Sequence, residues 1–201
     1  MPDLTTLQDL AANARQKSDE LRNRRREAAN VAIRGATRSE RSLNGLIFVE
    51  DIGDVLLFDQ GVAEFVYVPE ALAMRRVSLE ANETTRRQFF EAIARGISSR
   101  SDILNIGAGT DNALIEAFQN VGHAVVATDF AHNVVSELAS RVHAPTFAGD
   151  LVELDALLPP LSVDYVIGNS TLGFVDPAKL ERVVRNIVSV SRRGGIFTFD
   201  L

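Results

Sequence analysis

Apolar residues near the start of the chain recur with helical spacing. Between residues 5 and 36 they return every three, four or seven positions, which predicts one long amphipathic helix. Thr5 or Thr6 is the expected N-cap, because a hydroxyl can accept a hydrogen bond from the first unpaired amides. Gly35 is the expected end of the helix.

A strand pattern follows this helix. Three short runs rich in branched and aromatic residues are separated by turn residues, and they predict a small antiparallel meander. The three runs are Leu46–Val49, Val55–Phe58 and Glu64–Val68. A second helix is predicted from Pro69 towards Arg95, with a break near Asn82 and an end at Gly96.

From residue 102 onward, short apolar runs alternate with amphipathic segments. The predicted strands are 102–106, 123–129, 145–149, 163–168 and 195–201, and the predicted helices are 111–121, 131–142, 152–158 and 176–191. This alternation indicates an α/β fold with a parallel sheet and right-handed crossovers that place helices on both faces. Ligands of such sheets bind beyond the carboxyl ends of the strands, so the candidate chemistry is expected there.

Two glycines follow the first strand of this sheet. Gly107 and Gly109 stand between a strand and a helix, where glycine lets the backbone approach a ligand closely. The helix start adds amide donors and partial positive charge. A tight turn without any ligand is the alternative interpretation.

Acidic residues follow the second and third strands. Asp129 lies 22 residues after Gly107, where a carboxylate can accept hydrogen bonds from both ribose hydroxyls of an adenosine. An N-cap of the next helix is the alternative role. Asp150 can accept from an adenine amino group, and Leu151 can cover the ring.

Three features favour S-adenosylmethionine over a nicotinamide dinucleotide, and the Asp150-Leu151 pair after the third strand is one of them. The dinucleotide fingerprint has glycine or alanine five positions after its first glycine, but Asn112 stands there. A pyrophosphate would also meet the like charge of Asp111 at the helix start.

Five segments in this order and spacing make residues 95–201 similar to class I S-adenosylmethionine-dependent methyltransferases. They are the glycine loop 105–111, residues 129–130, residues 150–151, the fourth strand with its end at 163–170, and the glycine turn with the fifth strand at 192–201. The resemblance implies a Rossmann-like sheet of strand order 3-2-1-4-5, with S-adenosylmethionine as cofactor and S-adenosylhomocysteine as product. It also implies that the end of the fourth strand lies beside the transferable methyl group. Separately from the resemblance, Arg86 or Arg87 on the preceding helix is a candidate contact for the methionine carboxylate. The implied cofactor-binding residues are Asn105, Gly107, Ala108, Gly109, Asp129, Phe130, Asp150, Leu151, Asn169 and Ser170.

The chain departs from the family pattern in three places. Asn105 replaces the usual acid that reaches the methionine amine, and Asp111 replaces the third glycine of the loop. The family sheet continues beyond the fifth strand, so we expect either a longer protein or a second chain, or a homodimer, that completes the sheet. We expect residues 1–95 to act as a lid and oligomerisation region, and residues 96–201 to form the cofactor-binding domain.

Three functions remain open from the sequence. The first is methyl transfer to a small molecule by in-line displacement, because the fourth strand lacks the Asn-Pro-Pro-aromatic motif of enzymes that methylate DNA or protein amides. The second is an inactive methyltransferase-like subunit that supports a partner. The third is a nicotinamide-dependent oxidoreductase. No residue is identified as a general base.

Composition narrows the partners and the compartment. The net charge of −6 disfavours a nucleic-acid substrate, despite the basic run 22–26. The chain has no cysteine, no apolar run long enough for a membrane helix and no signal-peptide pattern, so the cytoplasm is expected. His123 is expected at the surface, and neither it nor His132 and His143 has the spacing of metal ligands.

Overall fold

The structure is a computed structural model that describes residues 4–35, 46–49, 54–57, 64–67, 82–97 and 99–198. The N-terminal elements are α1 (Leu4–Gly35), β1 (Leu46–Val49), β2 (Asp54–Leu57), β3 (Glu64–Tyr67) and α2 (Glu83–Gly96). The antiparallel meander is confirmed, because β2 pairs antiparallel with both β1 and β3. Helix α1 already includes Thr5 and Thr6, so the predicted N-cap is wrong.

Helix α2 is the described part of the second predicted helix. It begins directly after Asn82, where a break was predicted, and it includes Gly96 as its last residue. The preceding part of that prediction, from Pro69 to residue 81, lies outside the described residues.

The second half of the chain forms a five-stranded parallel sheet. Its elements are β4 (Asp102–Ile106), α3 (Ala113–Asn120), β5 (Ala124–Asp129), α4 (His132–Arg141), β6 (Thr146–Ala148), α5 (Leu154–Leu157), β7 (Val163–Asn169), α6 (Pro177–Val190) and β8 (Ser191–Thr198). The strand order is β6-β5-β4-β7-β8, and every neighbouring pair is parallel. This confirms the predicted order 3-2-1-4-5.

Two apolar clusters cover the two faces of the sheet. In β4, Ile103 joins the cluster formed with α2, α3 and α4, whereas Leu104 and Ile106 join the cluster formed with α1, α5 and α6. This alternation follows from the period of two in a strand, which sends neighbouring side chains to opposite faces. Both faces of the central strand are therefore buried, and the carboxyl edge of the sheet is left for a ligand.

The first half of α1 packs into the core of this sheet. Leu7, Ala11 and Ala14 are each at most 1% exposed and share a cluster with the sheet residues. Arg15 Nη2 also donates a hydrogen bond to Thr146 O at 2.6 Å. The division of the chain near residue 95 stays a prediction.

Strand β8 begins at Ser191, four residues earlier than predicted, so that predicted boundary is wrong. In the structure the pairing includes Arg192, whose Nη1 lies 3.1 Å from Asp164 Oδ1 on the neighbouring strand. A register shift between Val163 and Tyr165 accommodates the longer pairing. Residues 199–201 lie outside the described part of the chain. No helix within the described ranges is long and apolar enough to cross a membrane.

Candidate cofactor-binding site

The glycine loop after β4 is closed on one side and open on the other. Gly107 and Gly109 have φ angles of +58° and +59°, a region that favours glycine. A Cβ at Gly107 would lie 2.4 Å from the Thr171 side chain, whereas a Cβ at Gly109 would have no described atom within 4 Å. Thr171 is held there because its hydroxyl donates to Ile106 O at 3.0 Å. Open space for a ligand therefore lies at Gly109.

Asp129 faces this loop from the end of β5. Its Oδ2 accepts a hydrogen bond from Gly109 N at 2.9 Å, and its Oδ1 accepts one from Ala131 N at 3.0 Å. The side chain is nearly buried, with 4% exposure. A carboxylate oxygen can accept more than one hydrogen bond, so these contacts are compatible with ribose hydroxyls as further donors. The carboxylate joins the loop to Ala131, which is the N-cap residue of α4. Asp129 lies two residues earlier, so it is not itself the N-cap considered from the sequence, and its role towards a ribose stays a prediction.

Asn105 and Ala108 are both buried next to β5. Asn105 is 2% exposed in β4, where it lies beside Ala127 of β5. Ala108 is 7% exposed, and its amide donates to Thr128 O at 3.0 Å. The Ala108 hydrogen bond therefore fixes the loop against β5.

The residues after β5 and β6 border the same edge. Phe130 is half-buried directly after Asp129. Asp150 Oδ1 accepts from Val152 N at 2.9 Å and caps a short 3₁₀ turn. Leu151 is half-buried and packs against the sheet cluster that contains α1. Asp150 therefore orders the segment that carries Leu151.

Asn169 and Ser170 end β7, and β8 holds them in place. Thr198 Oγ1 donates to Asn169 Oδ1 at 2.6 Å, and Ser170 N donates to Thr198 O at 2.8 Å. Ser170 has a φ of +53°, which is uncommon outside glycine and marks a backbone held by its surroundings. Thr198 and Thr171 belong to this corner but were not identified from the sequence, since both act through contacts distant along the chain.

Asp111 closes the loop at the start of α3. Its Oδ1 accepts from Ala113 N at 3.0 Å, and its Oδ2 pairs with Arg86 of α2. Burial raises the pKa of Asp111 above its ordinary value of 3.8, and the nearby Glu83 adds to this effect. The charges of Arg86 and Arg141 oppose the rise in that pKa.

Of the two arginines considered on α2, only Arg86 pairs with a residue of the loop. Arg87 Nη2 instead lies 2.7 Å from Glu83 and 2.9 Å from Glu116.

His123 is buried, so its predicted surface position is wrong. It is 5% exposed, Ser101 N donates to its Nδ1 at 3.2 Å, and its Nε2 lies 3.0 Å from Ala94 O. Since Nδ1 accepts, Nε2 carries the proton and donates to the carbonyl. His123 thus links α2 to the sheet, whereas His143 is exposed in a loop.

The carboxyl edge of the sheet brings together a buried acid at Asp129, open space at Gly109 and a guanidinium at Arg86. Two buried polar atoms beside the loop, Thr110 Oγ1 and Arg86 Nη1, have no hydrogen-bond partner among the described residues. Unpaired buried donors and acceptors are unfavourable, so a polar ligand would stabilise this region.

Comparisons with known proteins agree with this fold. A family model described as a methyltransferase domain matches residues 103–195. The fold is similar to that of a Methanococcus maripaludis protein classed as an S-adenosylmethionine-dependent methyltransferase, with a TM-score of 0.51 at 16% identity over 61% of this chain and 59% of that chain. A second similar structure is a complex between the Haloferax volcanii Trm112 methyltransferase activator and a protein classed as a methyltransferase. The matched chain has a TM-score of 0.51 at 18% identity, over 64% of this chain and 56% of that chain. No curated protein is significantly similar to the chain in sequence.

The match of residues 103–195 to a methyltransferase domain, together with the shared Rossmann-like fold, supports the resemblance to class I S-adenosylmethionine-dependent methyltransferases, whose cofactor is S-adenosylmethionine. The chain spans less than two thirds of the length of the two similar structures.

Proposed function

We propose that this chain binds S-adenosylmethionine along the carboxyl edge of its parallel sheet and takes part in methyl transfer to a small-molecule acceptor. The observation that carries the proposal is the position of Asp129, whose carboxylate faces the glycine loop and accepts from Gly109 N at 2.9 Å. Asp129 is thereby held beside the open space at Gly109, where a bound nucleoside would find an acceptor for its ribose hydroxyls.

The other site residues order the ligand from both sides. Asp150 and Leu151 are proposed at the adenine, because they follow the neighbouring strand β6. Asn169 and Ser170 are proposed beside the reacting group, at the end of β7. Phe130 is proposed as the apolar contact to the adenosine.

The chain contributes chiefly position and electrostatics to the reaction. When bound, the cofactor supplies an electrophilic methyl group on a sulfonium. Asp129 and the glycine loop would fix the nucleoside, and the end of β7 would limit the approach of the acceptor to one direction. Holding the reacting atoms in line can account for a large part of the acceleration. We assign no general base, which is needed only for a protonated acceptor.

Titration with three ligands tests this proposal. Calorimetry and thermal shift should detect binding of S-adenosylmethionine and S-adenosylhomocysteine at one site, and no binding of NAD. Absence of binding by both adenosylated ligands would favour the inactive scaffold considered from the sequence. Binding of NAD alone would favour the oxidoreductase, although the Asp111 carboxylate at the start of α3 opposes a pyrophosphate there.

A partner on the β8 side of the sheet is a further part of the proposal. Among the described residues β8 pairs only with β7, and Leu180, Val184 and Val188 form an exposed stripe on the adjacent helix α6. An open strand edge beside exposed apolar side chains favours association. The expected partner is a second copy or another chain, as in the similar complex that contains an activator protein. Light scattering of the wild type and of Val188→Glu checks this, and a monomeric mass for both would contradict a homodimer. The cytoplasmic location stays a prediction.

A further inference from the structure

An ion pair ties α2 to the glycine loop at the position where the family has a glycine. Arg86 Nη2 contacts Asp111 Oδ2, and the two side chains are only 20% and 14% exposed. The other carboxylate oxygen of Asp111 accepts from Ala113 N at 3.0 Å. One carboxylate from the chain itself therefore engages both a guanidinium and the first turn of α3, the two groups beside this loop that attract a carboxylate most strongly.

Arg86 has binding capacity beyond this pair. Its Nη1 is buried and has no hydrogen-bond partner among the described residues. The guanidinium lies 5.9 Å from the centre of the Phe90 ring, a distance that fits a cation–π contact and limits its movement. A fixed guanidinium with an unused donor is suited to bind a second carboxylate.

The other charged side chains near this pair are already engaged with each other. Arg87 is already paired with Glu83 and Glu116, and Glu116 also accepts from Asn112. Arg141 also reaches the loop, but its Nη1 already donates to Thr110 O at 3.2 Å and lies 3.8 Å from Glu137. Asp111 and Arg86 therefore form the ion pair at the start of α3, and an anion that binds there meets both.

We propose that the Asp111 side chain is a built-in competitor for the carboxylate of the cofactor's amino-acid part. This inference rests on the proposed function, because it concerns the same site. When a ligand carboxylate approaches Arg86 and the first amides of α3, it meets a second negative charge on the same groups. Two carboxylates at one guanidinium repel each other, so binding requires Asp111 to turn away or to become neutral.

Two ligands, one with and one without the amino-acid part, separate repulsion of the ligand carboxylate from any general change in the nucleoside site. S-adenosylhomocysteine carries the amino-acid carboxylate, whereas 5′-methylthioadenosine has the nucleoside and the sulfur but no carboxylate. Asp111→Asn retains the shape and a capping oxygen but removes the charge. We expect it to strengthen S-adenosylhomocysteine binding about tenfold by calorimetry, which corresponds to about 1.4 kcal/mol. Binding of methylthioadenosine should change less than about twofold, because that ligand brings no like charge.

Arg86→Gln tests the other member of the pair. This substitution should weaken the binding of S-adenosylhomocysteine in both the wild-type and the Asp111→Asn background, and it should leave the affinity for methylthioadenosine unchanged. Asp176→Asn is the matched control, since Asp176 caps α6 through the same contact, with Ala178 N at 3.0 Å from its Oδ1. That control should leave the ratio of the two affinities unchanged. Asp111→Ser, which also retains a capping oxygen, replaces Asp111→Asn if the asparagine variant does not fold.

The outcomes separate this inference from the proposed function. If the wild type binds both ligands and Asp111→Asn leaves their affinity ratio unchanged or weakens S-adenosylhomocysteine, Asp111 is not a competitor and only this inference is overturned. If neither the wild type nor Asp111→Asn binds either ligand, the proposed function is wrong and this inference is overturned with it. A gain confined to S-adenosylhomocysteine supports both.

Discussion

Replacing Asp129 with asparagine removes one negative charge from the proposed sugar site while it retains the size of the side chain. In the structure the carboxylate accepts two backbone hydrogen bonds, from Gly109 N and Ala131 N. A neutral amide can accept only through its one oxygen, so it cannot maintain both of these bonds and also serve two ribose hydroxyls.

The expected loss of affinity follows from the two proposed ribose contacts. A hydrogen bond to a charged group contributes about 1.5–3 kcal/mol, against about 1 kcal/mol for a neutral one. For two contacts the difference is about 1–4 kcal/mol, and a value near the middle of that range raises the Kd for S-adenosylhomocysteine roughly a hundredfold. Asp129→Asn should also lower the free energy of unfolding by about 1–3 kcal/mol, because one buried amide loses its acceptor.

The assay is calorimetric titration together with denaturant unfolding, and Asp164→Asn is the matched control. Asp164 also accepts a backbone hydrogen bond, from Asp102 N at 2.9 Å, but it lies near the amino end of β7. The control should lower stability and leave the Kd unchanged. Equal Kd values for wild type and Asp129→Asn, with both proteins folded, would refute the reasoning.

Four other changes give separate outcomes. The Gly107→Ala variant should have a lower urea midpoint of unfolding than the Gly109→Ala variant, because a Cβ at residue 107 would lie 2.4 Å from the Thr171 side chain, whereas the space at Gly109 is open. Equal midpoints would contradict this. Gly109→Ala should lose about 1–2 kcal/mol of stability and at least tenfold in S-adenosylhomocysteine affinity by calorimetry. His123→Ala should lose about 3 kcal/mol in urea unfolding, since two buried backbone groups lose their partner. The pKa of Asp111 is raised in the folded state, so the folded protein keeps the proton on this carboxyl to a higher pH than the unfolded chain does. The free energy of unfolding of the wild type, relative to that of Asp111→Asn, should therefore fall as the pH rises above about 4, and an increase over that range would contradict the reasoning.

The sequence predicted the sheet well because its signal is local. The apolar runs at the strands and the amphipathic segments between them determine both strand positions and burial, and the structure has the predicted order. The turn at Gly107 and Gly109 was also identifiable, since left-handed φ angles favour glycine whatever packs around them. The strand and helix pattern therefore led directly to the edge where the candidate residues lie.

The contacts that were missed all join distant parts of the chain. His123 has an ordinary polar position in the sequence, and it is buried only because Ala94 O and Ser101 N meet it from another element. Thr171 fills the space at Gly107 from 64 residues away, and nothing in the local pattern around residue 171 indicates that role. Such contacts depend on how elements pack, which hydrophobic periodicity does not describe.

The charged residues of the loop show the same limit. From the sequence, Asp111 was a replaced glycine that either caps the helix or crowds a ligand, and Arg86 and Arg87 were equivalent candidates. Packing of α2 beside α3 brings Arg86 to Asp111 and Arg87 to Glu116. The specific pair, and the competition inferred from it, could be recognised only in three dimensions.

The proposed binding mode places a nucleoside at the carboxyl edge of the sheet with its sugar on Asp129. A crystal structure of the chain with S-adenosylhomocysteine would show this contact itself. We expect both ribose hydroxyl oxygens within about 3.2 Å of the Asp129 carboxylate, with the ligand passing over Gly109. A ligand bound away from that edge, or a sugar that does not contact Asp129, would contradict it.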